Sequence, residues 1–162
     1  MLSAKIEKAL NDQVNRELYS SYIYLAMSAY FESKNYGGFA HWMKIQSEEE
    51  REHGMKIYDY INTRDGRVVL EAIQAPKKEW AKPLEAFEEA YAHEQYISKS
   101  INDIVTLAYE EKDHATVEFL SWFVKEQVEE EASSRDVVEK MKMVGESTNT
   151  LFLLDRELGK RA

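Results

Sequence analysis

The residues best suited to chemistry are a carboxylate and an imidazole placed three positions apart. Glu50 and His53 would project from the same side of a helix, because residues three apart are neighbours on a helical surface. A carboxylate buried without a partner costs several kcal/mol. Either this helical face is not buried, or a cation lies against it. The residues of this face follow one another at spacings of four and three, and the face is apolar at its ends and polar in its middle. It comprises Phe39, Met43, Gln46, Glu50, His53, Ile57 and Tyr60.

Three further helical segments carry polar residues at comparable depth on otherwise apolar faces. The first segment contributes Glu17, the third contributes Glu94, and the fourth contributes Gln127 with Glu130. A single Glu on an apolar stripe is more often a surface residue, but repetition in four segments favours a shared site. Helices with one Glu alternating with helices that bear a Glu-x-x-His pair are typical of di-iron carboxylate bundles. The fourth segment departs from this symmetry, because it offers Gln and Glu in place of Glu and His.

The donor set indicates metal cations. The four glutamates carry four negative charges when ionised, which two divalent cations would balance. Carboxylates with one imidazole suit Fe²⁺ or Mn²⁺ better than a structural Zn²⁺, and the chain has no Cys to supply thiolates. Because oxygen-rich ligation favours the ferric state, a pair of ferrous ions here should react readily with O₂.

More acidic and aromatic side chains surround this set. Glu49, Glu126 and Glu129 lie one position or one turn away and could hold a third cation, and a solvated acidic face explains them equally well. Tyr24 lies seven residues after Glu17 on the same stripe. It could therefore donate an electron to the metals, with plain core packing as an equal alternative.

Five helices and one long connection are predicted to position these groups. The chain of 162 residues has the length of one domain, 1–162, and its 6 Gly and 2 Pro favour long helices. Between about residues 67 and 83 no helical period appears, which predicts a crossover that lets the third helix run parallel to the second. The helices are expected at about residues 3–34, 38–64, 84–111, 114–144 and 148–158.

Composition and charge exclude several classes of function. The net charge of −9 disfavours nucleic acid as a partner, because phosphate backbones recruit Lys and Arg. The absence of Cys excludes disulfides and Cys nucleophiles. The first residues show no signal-peptide pattern, and the longest apolar stretch, 22–31, is too short to span a bilayer. We therefore expect a cytoplasmic protein with no membrane or nucleic-acid partner.

The motifs around these residues resemble those of the ferritins, specifically the non-haem bacterial and archaeal type. The resemblance extends over essentially the whole chain, including the crossover and the short last helix. It implies an all-α, ferritin-like four-helix bundle with a long crossover between helices two and three and a short C-terminal fifth helix. The motifs are Asn15-Arg16-Glu17-Leu18-Tyr19, Tyr24-Leu25-Ala26-Met27, Glu49-Glu50 with His53, His93-Glu94, and the acidic segment from Trp122 to Glu131.

The resemblance also implies an activity and a set of iron sites. The implied protein is a ferroxidase that oxidises Fe²⁺ with O₂ or H₂O₂ and stores ferric oxide in a hollow homo-oligomeric shell of about 24 subunits. Each subunit would bind two iron ions, or three if an outer site is used. The first site would comprise Glu17, Glu50 and His53 with Gln127 nearby, the second Glu50 as a bridge with Glu94 and Glu130, and the third Glu49, Glu126, Glu129 and Glu130.

The sequence differs from bacterioferritins and from animal ferritins at one feature each, and two alternative functions remain open. Haem is not expected, because the haem-ligating Met of bacterioferritins would fall at position 52, which is Glu52 here. The acids that line the three-fold pores of animal ferritins would fall at Val117 and Leu120, so an acidic funnel is not expected. A redox-inert structural helical shell would bind no iron in its core. A di-iron oxygenase without storage would form no shell.

Overall fold

The computed structural model describes all 162 residues as five α-helices joined by irregular segments. The predicted all-α class and helix order are confirmed, and each helix end lies within one residue of its expected position. None of the five helices combines the length and the apolar character needed to cross a bilayer. The helices are α1 (Ala4–Ser33), α2 (Gly37–Thr63), α3 (Pro83–Glu110), α4 (His114–Val144) and α5 (Thr148–Leu158).

Local signals set most of the helix ends. The hydroxyl of Ser3 and the carboxylate of Asp113 each accept a hydrogen bond from a first-turn N–H, which caps α1 and α4. Pro83 begins α3, where its missing N–H has no intrahelical partner to lose. Gly145 ends α4 with φ of 67°, a conformation that glycine adopts without steric cost. Ser147 occupies the predicted cap position of α5, but its side chain forms no capping hydrogen bond.

The buried apolar side chains form two clusters, one toward each end of the bundle. One cluster joins the C-terminal half of α1 to the N-terminal turns of α2 and α3, and it includes Phe31, Phe39 and Phe87. The other joins the N-terminal half of α1 to the C-terminal part of α2, as Leu10 packs with Ile57 and Ile61. These pairings show that α1 and α2 are antiparallel and that α2 and α3 are parallel. The middle of the bundle, between the clusters, is where polar residues lie.

The crossover between α2 and α3 has no helix or strand, and side chains of α1 fasten it. Asn11 donates from Nδ2 to the carbonyl of Arg67 at 2.9 Å and accepts at Oδ1 from the N–H of Val69 at 2.7 Å. The hydroxyl of Tyr30 donates to the carbonyl of Trp80 at 2.9 Å. These bonds satisfy backbone groups that an irregular segment leaves unpaired. The crossover can therefore carry the chain back along the bundle before α3 begins.

Candidate metal centre

The four long helices bring the predicted polar residues together between the two apolar clusters. Each of the four glutamates is at most 6% exposed, and Glu50 is completely buried. Side chains of this type are almost never fully buried unless they are paired. The buried group comprises Glu17 from α1, Glu50 and His53 from α2, Glu94 from α3, and Gln127 and Glu130 from α4.

The carboxylate and imidazole atoms form three overlapping groups, which we call ligand sets. In each set the ligand atoms lie within 4.8 Å of one another. Glu50 belongs to two of the sets, so its carboxylate is placed to bridge two cations. The sets are Glu17–Glu50–His53, Glu50–Glu94–Glu130 and His53–Glu126–Glu130.

When the carboxyl groups are ionised, three buried ligand atoms have no hydrogen-bond partner in the protein. They are Oε2 of Glu17, Oε2 of Glu50 and Nδ1 of His53, and the last two lie 3.6 Å apart. A buried polar atom left unpaired costs about 1–3 kcal/mol, so such atoms are rare in folded proteins. The three residues that carry these atoms form one ligand set. A single cation at that position would satisfy all of them, so the residues present fit a metal ion.

Amide groups hold the other oxygen of the carboxylates in this set. Gln13 donates from Nε2 to Oε1 of Glu17 at 2.8 Å. Gln46 donates from Nε2 to Oε1 of Glu50 at 3.1 Å and to Oε2 of Glu130 at 2.7 Å. In Glu17 and in Glu50, therefore, Oε1 accepts a hydrogen bond from an amide, while Oε2 is one of the three unpaired ligand atoms.

Gln13 is a residue of the site that the sequence reasoning missed. The hydroxyl of Ser100 donates to its Oε1 at 2.5 Å, which directs its NH₂ group toward Glu17. A signal was available in the sequence, because Gln13 precedes Glu17 by four residues just as Gln46 precedes Glu50. Residues four apart on a helix are neighbours, so both amides can reach the carboxylate that follows them.

Tyr24 and Gln127 both contact Glu94. The hydroxyl of Tyr24 donates a short hydrogen bond to Oε1 of Glu94, and Gln127 donates from Nε2 to its Oε2 at 3.1 Å. Tyr24 is fully buried, so it contributes to the core as well as to the site. The resemblance places Gln127 near the set that contains Glu17, whereas in the structure its amide contacts Glu94.

The predicted third cation site is assembled only in part. Glu126 lies 3.9 Å from Nε2 of His53 and belongs to a ligand set. Glu129 is exposed on α4 and belongs to none. Glu49 forms an ion pair with Arg161 at 2.7 Å. The roles of Glu49 and Glu129 as ligands therefore stay a prediction.

Burial raises the pKa values of the carboxyl groups in the centre. Loss of hydration is the main cause in each case, and repulsion between neighbouring carboxylates adds to it. The pKa of Glu94 and that of Glu130 are each raised to about 7. The pKa values of Glu17 and Glu50 are raised well above the ordinary range. Burial, with the charge of Glu94, likewise raises the pKa of Tyr24, so its phenol stays protonated.

Comparison with known proteins assigns the family. The sequence model of the ferritin family, described as a ferritin-like domain, matches residues 7–144, a range that contains every residue of the ligand sets. The chain belongs to the ferritin family. The resemblance predicted from the motifs is thereby confirmed.

Full-length ferritins are similar to this chain in both sequence and structure. A bacterial non-heme ferritin of Bacteroides fragilis (strain 638R) is 44% identical over 161 residues, which are 99% of this chain and 100% of the relative. One from Staphylococcus saprophyticus is 43% identical over 100% of this chain and 97% of its own length. A crystal structure of an open pore ferritin from the archaeon Archaeoglobus fulgidus covers 100% of both chains with a TM-score of 0.98 and 48% identity.

Cation binding to this ferritin should displace protons and strengthen as pH rises. Below pH 7 the carboxyl groups of Glu94 and Glu130 are mostly protonated, so a cation must displace those protons to bind. For each proton displaced from Glu94 or Glu130, the affinity should rise roughly tenfold per pH unit below 7. Calorimetric titration with Zn²⁺ at pH 6 and pH 8, in buffers of different ionisation enthalpy, measures the affinity and the number of protons released. Equal affinity and no proton release at the two pH values would contradict the described protonation of the centre.

Proposed function

We propose that this ferritin oxidises Fe²⁺ to Fe³⁺ with O₂ or H₂O₂ at the buried centre and stores the product as ferric oxide inside a hollow shell of identical subunits. The observation that carries the proposal is the convergence of three buried, unpaired ligand atoms from Glu17, Glu50 and His53. The description of similar chains as bacterial non-heme ferritins supports iron, without haem, as the cargo. Glu52 in place of a haem-ligating Met agrees with that description.

The ligand sets give each side chain a role in this reaction. Glu50 would bridge two ferrous ions, because its carboxylate belongs to two sets. His53 and Glu17 would hold one ion, and Glu94 with Glu130 would hold the other. The two ions together give two electrons, which reduce O₂ to hydrogen peroxide or hydrogen peroxide to water. Ferric product then leaves for the cavity of the shell.

Hydrogen bonds to Glu94 support an auxiliary role for Tyr24. Its hydroxyl donates to Glu94, which belongs to the set proposed to hold the second ion. With a third ferrous ion, Tyr24 would supply the remaining two of the four electrons that take O₂ to water, and Glu94 is in position to accept the proton of the Tyr24 phenol. Gln127 donates to the other oxygen of Glu94 and would keep this carboxylate oriented. Electron paramagnetic resonance during turnover would detect the tyrosyl radical that this role requires.

Exposed apolar side chains support assembly into a shell. Five of them lie outside the centre, on α1, the crossover and α5, and each is 47–64% exposed in the single chain. Where such side chains form a contiguous patch, the patch marks a protein contact. We propose about 24 subunits, the number that the resemblance implies, and a cytoplasmic location. The side chains are Tyr22, Leu25, Leu70, Phe152 and Leu153.

Particle size together with iron content tests the storage function. After aerobic addition of Fe²⁺, we expect a particle of about 24 subunits that retains far more than two iron ions per chain. A particle of that size without iron would indicate a structural shell. A monomer or dimer with at most two iron ions per chain would indicate an oxygenase. Light scattering coupled to size-exclusion chromatography, with iron determined on the same fractions, distinguishes these outcomes, and either of the last two contradicts storage.

A further inference from the structure

The residues after α5 place a guanidinium group at the edge of the metal centre. Arg161 donates from Nη2 to Oε2 of Glu49 at 2.7 Å and to Oε1 of Gln46 at 3.0 Å. Its Nη1 donates to the carbonyl of Trp42 at 3.1 Å, and its guanidinium lies 4.4 Å from the centroid of the Trp42 ring. Its own carbonyl lies 2.7 Å from Nε2 of His41. The C-terminal segment is therefore fixed to α2 at several points.

These contacts distinguish Arg161 from an ordinary surface ion pair. Exposed pairs contribute little, because water screens them and two flexible side chains must be ordered. The side chain of Arg161 is only 19% exposed, and its planar group binds a carboxylate, an amide and a backbone carbonyl at once. The adjacent Lys160 offers a contrast, since it is exposed and pairs only with Glu157.

Gln46 connects Arg161 to the ligands of the centre. An amide side chain has an acceptor end and a donor end, so a donor at its oxygen fixes which end faces inward. Arg161 supplies that donor, and the NH₂ group of Gln46 consequently faces Glu50 and Glu130. The orientation of two proposed iron ligands thus depends on a residue 115 positions further along the chain than Gln46.

We propose that Arg161 neutralises Glu49 at the edge of the metal centre, in the place of a metal ion, and that it is a positioning residue for Gln46. Its guanidinium holds Oε2 of Glu49, and we expect it to leave when a metal ion binds this carboxylate, because the two positive charges repel each other. When Arg161 leaves, Gln46 loses the donor at its Oε1. Cation binding at Glu49 is therefore coupled to the orientation of Glu50 and Glu130, which both accept from Gln46. The inference rests on the proposed function, because it concerns cations that reach the same centre.

Calorimetric titration with Zn²⁺, which is redox-inert, tests this exchange without any turnover. In the wild type we expect two tight equivalents per chain and a weaker third. Arg161→Gln should tighten the third equivalent about tenfold, because the competing charge is gone. Lys160→Gln removes the same charge one residue away and should leave the third equivalent at its wild-type affinity. Adding Glu49→Gln to Arg161→Gln should abolish the gain.

The outcomes separate this inference from the proposed function. Two tight equivalents with an unchanged third in Arg161→Gln would overturn the inference alone, as would an equal change in Lys160→Gln. Absence of the two tight equivalents from the wild type would overturn the proposed function and the inference with it. A crystal of the wild-type protein soaked in Zn²⁺ gives a second measurement that needs no variant. A cation on Glu49 with Arg161 still at ion-pair distance would contradict the exchange.

Discussion

Glu50→Ala is expected to slow the initial aerobic oxidation of Fe²⁺ about a hundredfold or more. Loss of a group that merely orients a metal ligand already costs about 10–100-fold, and Glu50 is itself a proposed ligand of both ions. Its carboxylate belongs to two ligand sets, so the substitution removes the proposed bridge. Glu130→Ala should slow the reaction less, because Glu50 and Glu94 remain to hold the second ion and Glu50 still joins it to the set of Glu17 and His53. Stopped-flow absorbance of the ferric product, with two Fe²⁺ added per chain, measures the rate.

Glu52→Ala is the matched control for this loss. Glu52 lies on α2 two residues after Glu50, but it is exposed and belongs to no ligand set. Its removal should leave the initial rate within about twofold of the wild type, as surface substitutions generally leave folded structure intact. Equal rates for the wild type, Glu50→Ala and Glu130→Ala would refute the assignment of the centre.

Glu50→Gln is expected to stabilise the metal-free protein. The carboxylate of Glu50 is completely buried beside Glu94 and Glu130, and burial with their charges raises its pKa well above the ordinary range. An amide has nearly the same shape, carries no charge and can donate to a neighbouring unpaired atom. One such acceptor is Oε2 of Glu17. We expect the midpoint of thermal unfolding to rise by about 5 °C at pH 8, which corresponds to roughly 2 kcal/mol.

The sign of this effect with pH follows from the raised pKa. A carboxyl group whose pKa is higher in the folded than in the unfolded state reduces stability as pH rises between the two values. The advantage of Glu50→Gln should therefore be larger at pH 8 than at pH 5. Calorimetry of the chelated proteins at both pH values measures it. A lower unfolding midpoint for the variant at pH 8 would contradict the account of buried, mutually repelling carboxylates.

Cations should reverse the order of stability. With saturating Zn²⁺ the wild type gains the binding free energy, whereas Glu50→Gln lacks an anionic ligand shared by two sets and gains less. The same side chain that destabilises the empty protein would thus stabilise the loaded one. This opposition is expected where a site is built for function rather than for stability.

Helical periodicity explains why most of the centre could be predicted from the sequence. Glu17, Glu50, Glu94 and Glu130 each interrupt an apolar stripe, and a helix of 3.6 residues per turn fixes the direction in which such a residue projects. The long helices with few Gly and Pro likewise have clear bounds. Each stripe indicates which face of its helix is buried and how far along the bundle its carboxylate lies. These two facts are enough to predict that the four carboxylates meet.

Contacts that depend on side-chain direction or on distant segments could not be predicted in this way. The partnership of Ser100 with Gln13 joins α3 to α1 through one rotamer of each residue. Arg161 lies after the last helix, where no period applies, and its partner Glu49 is 112 residues away. That contact also changes the interpretation of Glu49. The sequence suggested a side chain that could hold a cation, and in the structure its carboxylate is paired with Arg161.

The most direct test of the central claim is the position of iron in a crystal soaked anaerobically in Fe²⁺, measured by anomalous scattering at the iron edge. We predict two peaks per chain in the middle of the bundle, one bonded to Glu17, Glu50 and His53, and the other to Glu50, Glu94 and Glu130. Glu50 should be the ligand that they share. Iron found only at surface carboxylates, with no peak within bonding distance of Glu50, would contradict the proposed centre.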